Sequence, residues 1–354
     1  MVPVTRAAFC VLLAVAVAGC GGARRVGGPL PRRFVSVSLS PLDDRTFLVL
    51  GSVPCPAGRC YAIELTADGG RSYLRLPAPH GIPTEGTNPT IRFADRRNGF
   101  VWVQFGRGEF WSTHDGGATW RQLTSPDVAA FTTAAGRIYA VVARCTPKRC
   151  SRYRFARGST SATRWTESRL PFTPDGPVLD LAAHGRNVWL LGTPRAMKYQ
   201  RHDLLARSSD GGRTFTTRPG PCFPGLGGDL EPSSAHTLWA VCPTGMMAAA
   251  ARSTDGGLSF TPLHTPQLVN SARLAPASDE TAVLATNSTG RPLRSADGGA
   301  TWRTVAWAQR DRCSSTNVVF SDARTGEALR VCPRSATVWR TTDGGAAWSK
   351  IQQR

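Results

Sequence analysis

The stretch that decides the fold is RSADGGATWRT, Arg294–Thr304. Near-copies occur as ELTADGGRSYLRL (Glu64–Leu76), STHDGGATWRQL (Ser112–Leu123), RSSDGGRTFTT (Arg207–Thr217), RSTDGGLSFTPL (Arg252–Leu263) and RTTDGGAAWSKI (Arg340–Ile351). The aspartates are Asp68, Asp115, Asp210, Asp255, Asp297 and Asp343, spaced by 47, 95, 45, 42 and 46 residues. The interval of 95 is close to two periods, so a degenerate copy should lie inside it. GSTSATRWTESRL (Gly158–Leu170) is that copy, with Thr160 at the aspartate position. The aromatic five places on recurs in every unit, as Tyr73, Trp120, Trp165, Phe215, Phe260, Trp302 and Trp348.

Each unit reads as four short strands. In the second, PTIRFAD, GFVWVQFG, GEFWSTH and TWRQL are apolar, β-branched and aromatic, with Gly, Asp and Pro between them. The last repeats the pattern as NVVFSD, GEALRVC, ATVWRTT and AWSKI. No segment has a helical period. Four strands recurring at about 40–50 residues predict a β-propeller blade. The expected fold is all-β: a seven-bladed propeller of four-stranded antiparallel blades over 34–354. Its blades are about 34–78, 79–125, 126–172, 173–219, 220–264, 265–307 and 308–354.

The recurring box then falls between the third and fourth strands. Its glycine pair supplies positive φ, and its Asp accepts bonds from the turn's own amides. A catalytic group is rarely needed six times, whereas a folding device is needed once per blade. Six of the 24 acidic residues are therefore read as architecture. The first unit opens on an inner strand and the last closes on an outer one. No strand is spare to swap across the ring, so closure must come from packing of blade one on blade seven.

The S-x-D-G-G-x-T-W box resembles the Asp-box, or bacterial neuraminidase repeat, of sialidases and of many non-enzymatic propellers. Units beginning TIRFADRRNGFVW and NVVFSDARTGEAL are similar to repeats of the photosystem II assembly and stability factor family. That resemblance covers about nine-tenths of the chain and implies an exported, seven-bladed scaffold. It speaks to fold more than to function.

The N-terminus carries an address. Arg6 precedes AAFCVLLAVAVAG, an apolar run of 13 residues, too short to span a bilayer, which takes roughly 20. It reads as a secretory signal over 1–20. The run ends in VAGC, which resembles a bacterial lipobox, with Cys20 as the lipidated residue; an ordinary signal peptide cut nearby is the alternative. GGARRVGGPLPRR, 21–33, reads as a flexible basic tether with a random-coil reach of roughly 20 Å. The expected location is the outer face of the bacterial cytoplasmic membrane.

Formal charge is +19, with 43 Lys and Arg of which all but three are Arg. Such a chain suits anionic proteins, envelope polymers and membrane surfaces. Nucleic acid does not fit an exported address, and no nucleic-acid motif appears. There is no P-loop, dinucleotide fingerprint or G-x-S-x-G, and the six histidines lack metal-ligand spacing. No cofactor, metal or catalytic residue is assigned, and a monomer is expected.

Eight cysteines remain beyond Cys10 and Cys20, which permit on the order of a hundred pairings. The repeat narrows them to Cys55–Cys60, Cys145–Cys150, Cys222–Cys242 and Cys313–Cys332, all on the rim opposite the boxes. Zinc held by the two C-x4-C pairs is the rival; an oxidising compartment and the separation of blades one and three favour disulfides. The same rim gathers Arg59, Lys148, Arg149, Arg195, Lys198, Arg201, Arg291, Arg310, Arg312 and Arg334 against Glu85, Asp175, Asp203, Asp229 and Asp311. Its longest loop, TPRAMKYQRHD, adds Tyr199. Candidate binding residues are Arg59, Arg149, Arg195, Lys198, Tyr199, Arg201, Arg310, Arg312 and Arg334; a solvated charged surface is the alternative.

Two functions follow. One is a non-enzymatic binding or assembly scaffold at the cell envelope. The other is a sialidase-like exo-glycoside hydrolase, which needs a Tyr nucleophile, acids and an Arg cluster. Against it, the Arg-Ile-Pro motif of sialidases is absent, and seven blades replace the usual six. Only Tyr199 sits in an evident upper loop, with Glu85 as a distant acid.

Overall fold

The computed structural model describes residues 30, 33–56, 58–84, 88–103, 109–123, 126–146, 150–195, 202–266, 268–269, 272–285, 292–305, 313–332 and 335–351. Seven antiparallel sheets follow one another along the chain, each built from consecutive strands. They form a seven-bladed β-propeller, and no helix occurs among the described residues. Blade one is Val35–Pro41, Phe47–Cys55, Gly58–Thr66 and Leu74–Pro77, from the channel outward. Blade five carries a fifth short strand, Leu268–Val269, against its third, Met247–Ser253.

The Asp-Gly-Gly corners tie each blade's outer hairpin to its inner one. In blade one, Thr66 Oγ1 donates to Asp68 Oδ1 at 2.9 Å, and the amides of Arg71 and Ser72 donate to the same oxygen at 2.9 Å each. Gly70 N donates to Thr66 Oγ1 at 2.9 Å, while Gly69 N donates at 2.8 Å to the Arg45 carbonyl in the turn between strands one and two. Gly69 and Gly70 have φ of +75° and +90°, a region that a side chain makes costly. The corresponding glycine-to-turn bonds recur from Gly116 to Arg97, Gly211 to Arg186, Gly256 to His236, Gly298 to Glu280 and Gly344 to Arg324. The degenerate unit keeps the link without the carboxylate, through Thr160 N to the Gly136 carbonyl at 3.0 Å.

A second device joins neighbouring blades. Three residues before four of the box aspartates stand Arg207, Arg252, Arg294 and Arg340, at the end of a third strand. Arg294 Nε donates to the Gly344 carbonyl of the next blade at 2.7 Å. Arg252 reaches the Asp279 carbonyl at 2.7 Å and Glu280 Oε1 at 2.9 Å. Arg207 packs against Gly256, where a Cβ would stand 2.8 Å from its Nη2. Arg340 closes the circle: it donates to the Asp44 carbonyl of blade one while holding Glu327 Oε1 at 3.0 Å. The same seam buries Phe34, Phe47, Val49 and Tyr73 of blade one with Leu329, Val338 and Ile351. Closure is thus packing plus an arginine, with no exchanged strand among the described residues.

The ring also takes in Leu30, which the sequence reading assigns to the tether; it is fully buried in this seam, so the packed structure begins earlier than expected. Nearer the channel, Ser38 and Ser40 of blade one accept bonds from the amides of Ile91 and Phe93 in blade two. Ser36 would meet residue 89 in that ladder, but Pro89 has no N–H, and Ser36 Oγ is buried without a partner.

Two outcomes are expected. Burial raises Glu327 to about 7 even though Arg340 pulls it down. Removing the arginine strands a buried carboxyl, so Arg340→Met should lower unfolding free energy in urea by about 3–5 kcal/mol. The Arg340→Met/Glu327→Met double variant should recover most of that loss, and equal losses would refute the seam. The second outcome concerns pH. Partial burial alone would raise Asp68 and Asp115, but hydrogen bonds from Ser72 and Thr66, and from Thr119 and Thr113, outweigh it and hold both at about 2. A carboxyl depressed on folding stabilises above its unfolded pKa of about 3.9 and loses that contribution as pH falls through the folded value. Thermal unfolding should therefore show a drop in stability between about pH 4 and pH 2. Asp68→Asn/Asp115→Asn should be less stable at pH 6 and show a shallower drop.

Candidate binding face

An up-and-down blade puts its first-to-second and third-to-fourth turns on one rim, and its second-to-third hairpin and inter-blade connection on the other. The glycine-to-turn bonds fix the corners on the first rim. The disulfides Cys55–Cys60 and Cys145–Cys150 close second-to-third hairpins, whose registers pair Cys55 with Gly58 and Cys145 with Cys150. Cys222–Cys242 and Cys313–Cys332 staple the incoming connection to the end of a second strand. All four lie on the second rim, with no cysteine left for zinc among the described residues.

Of the candidate binding residues, the structure describes two. Arg59 is exposed and donates from Nη2 to Ser52 Oγ. Arg195 is exposed just beyond Asn187–Pro194, the second strand of blade four. Arg149, Lys198, Tyr199, Arg201, Arg310, Arg312 and Arg334 lie outside the described residues, as do Cys20 and Glu85.

What Arg195 joins was not anticipated. It lines a cleft of about 410 Å³ at the seam of blades three and four with Arg152, Arg154, Arg169, Tyr153, Phe172 and Asp175. Cys150–Ser159, the third strand of blade three, supplies Arg152 and Arg154, and Thr166–Arg169, the fourth, supplies Arg169. Arg154 and Arg169 stand directly opposite in the antiparallel register. The register slips between Val142 and Arg144, and Arg152 has φ of +54°, the left-handed conformation of a bulge. The bulge turns the strand so that consecutive residues 152–154 all reach the cleft. Like charges placed together repel, so four arginines against Asp175 leave an uncompensated positive site.

Tyr153 gives the cleft its apolar floor. Burial raises its pKa, and its hydroxyl is buried without a hydrogen-bond partner. Arg152 and Arg154 also border a second cleft of about 260 Å³, shared with Arg144, Pro126 and Glu167.

The rim acids resolve differently. Asp203 is fully buried, its Oδ1 accepting from Thr193 Oγ1 at 2.6 Å, and burial raises its pKa. Asp229 belongs to the central channel, not the open rim: it starts the innermost strand of blade five and pairs with Arg273 at 2.9 Å. The channel cleft, about 440 Å³, also holds Arg92 and Glu231. Desolvation by the surrounding ring raises Glu231 to about 7 despite Arg92. Beside it, Asp180 is raised by burial and by the neighbouring Asp229 charge; its Oδ2 accepts from Leu230 N at 2.6 Å. That bond stitches blade four to blade five, so Asp180 has a structural task.

No protein-family model and no curated protein matches the chain. Solved structures do. "YCF48 bound to D1 peptide" superposes with a TM-score of 0.54 at 14% identity, over 93% of this chain and 98% of that one. YCF48 from Cyanidioschyzon merolae gives 0.56 at 13%, over 91% and 99%. A Mycobacterium tuberculosis puromycin-hydrolyzing peptidase gives 0.58 at 13%, over 94% of this chain but 56% of that one. At such identities the likeness shows the fold: the chain is a seven-bladed β-propeller spanning nearly the whole of the YCF48 chains.

Proposed function

We propose that the protein is a non-enzymatic binding or assembly scaffold of the cell envelope, exported and held to the membrane by a lipid at Cys20. Its working surface is the disulfide-bearing rim, and its partner is a protein presenting an acidic segment. The observation that carries this reading is the arginine cleft between blades three and four. Arg152, Arg154, Arg169 and Arg195 converge there with one acid, and none of the four has a side-chain ion pair among the described residues. Arginine forks suit carboxylates, and the Tyr153 and Phe172 rings suit the apolar part of a side chain. The fold likeness to a propeller bound to a peptide agrees with a peptide-binding task.

The test is capture of partners from detergent-solubilised membranes by wild type and by Arg154→Glu/Arg169→Glu. The variant should lose its partner at least tenfold, and wild-type capture should weaken with added salt. Identical recovery would refute the cleft. Turnover of a fluorogenic sialoside by the wild type would refute the scaffold itself.

A further inference from the structure

Four large apolar side chains stand well exposed among the described residues: Phe223, Leu226, Met246 and Leu258 at 51%, 46%, 89% and 48%. All four belong to blade five, and three of them to one rim. Phe223 and Leu226 lie in the connection entering the blade, and Met246 caps the hairpin between its second and third strands. The Cys222–Cys242 disulfide binds the two loops together. Thr244 N donates to the Met247 carbonyl at 2.8 Å, and the extra strand Leu268–Val269 braces the hairpin base. His202 lies parallel to the Phe223 ring at 6.4 Å. The fold has therefore built a supported tip that holds apolar groups in water. None of the clefts described above is lined by them. They protrude and receive nothing.

We infer that this tip enters the interfacial layer of an anionic lipid bilayer and turns the disulfide-bearing rim toward the membrane. Two observations select a bilayer over a protein partner. The apolar side chains stand out in water and line none of those clefts, whereas protein anchors are usually received in pockets. The same rim carries the unpaired Arg152, Arg154, Arg169 and Arg195, and apolar side chains beside basic ones are what anionic interfaces take up.

The ring closes on its own core from Leu30 onward, so residues 30–354 can be tested without the proposed lipid. Co-sedimentation is measured with vesicles of phosphatidylcholine alone and of phosphatidylcholine with phosphatidylglycerol. Binding is expected to the mixed vesicles. Phe223→Ser/Leu226→Ser/Met246→Ser should reduce the partition coefficient roughly tenfold or more. Leu258→Ser, on the opposite rim, should leave it unchanged, and circular dichroism identifies any variant that fails to fold. If the triple variant misfolds, Met246→Ser alone, at the most exposed position, must still weaken binding. The inference fails if wild type does not bind, if the Ser variants bind as tightly as wild type, or if Leu258→Ser weakens binding equally. Loss of partner capture by the cleft variant would leave this result untouched, so the two readings stand or fall separately.

Discussion

The bond from the first glycine of each corner to the turn of the inner hairpin is the constraint on which the ring depends. A propeller blade is a narrow, strongly twisted sheet whose outermost strand has few partners. In blade seven that strand is Ser349–Lys350, and in blade six it is Arg303–Thr304. Two residues of ladder cannot hold an edge strand against fraying. The corner compensates by bonding the turn before that strand to backbone near the channel, with the Asp carboxylate satisfying the turn's own amides. The amides beneath it are thereby neither exposed nor orphaned, as buried backbone requires.

The corner also sets how blades meet. Its second glycine presses on the preceding blade: a Cβ at Gly345 would lie 2.6 Å from Val283 Cγ2. Where the arginine three places before the Asp is present, it ties into the following corner. Blade two has Ser112 at that position, and blade three has Thr160 in place of the Asp. The seam between them is the one that lacks both halves of the latch, and aromatic packing replaces it. Phe110 meets Trp165 edge-on at 5.5 Å and Phe131 at 5.0 Å, while Phe100 lies 4.8 Å from Phe131. Such pairs are worth about 0.5–1.5 kcal/mol each beyond their buried area. Polar stitching and ring packing are thus alternative solutions to one problem. Part of the +19 charge is spent on the first, which lowers how much of it counts as a binding surface.

Periodic features were legible in the sequence because repetition exposes them. Seven aromatics at one offset gave the blade number, and the cysteine spacings, read on that grid, put the sulfur bridges on one rim. Arg207, Arg252, Arg294 and Arg340 recur at one offset as well, and their task could have been read the same way. Non-periodic features stayed hidden. Arg152 and Arg154 alternate along a strand and would ordinarily share one face with Tyr153 turned away. The left-handed residue at Arg152 breaks that rule, and no turn residue such as Gly or Asn marks the place. Arg169 and Arg195 join them only because blades three and four meet there. Leu30 sits among Gly, Pro and Arg, so its local composition reads as linker although its side chain is core.

The two rims obey different physics. On the corner rim, hydrogen-bond geometry leaves little freedom, because each carboxylate is committed to amides and hydroxyls of its own turn. On the other rim, connections differ in length from blade to blade and are held by covalent bridges instead. A disulfide constrains a loop without prescribing its side chains. It lets Phe223 and Met246 face water, and lets arginines crowd at Cys150, without the loop collapsing to hide or separate them. Rigid corners make the ring insensitive to what the opposite loops contain. That independence allows an unpaired basic cleft and an exposed apolar tip to coexist on one stable scaffold.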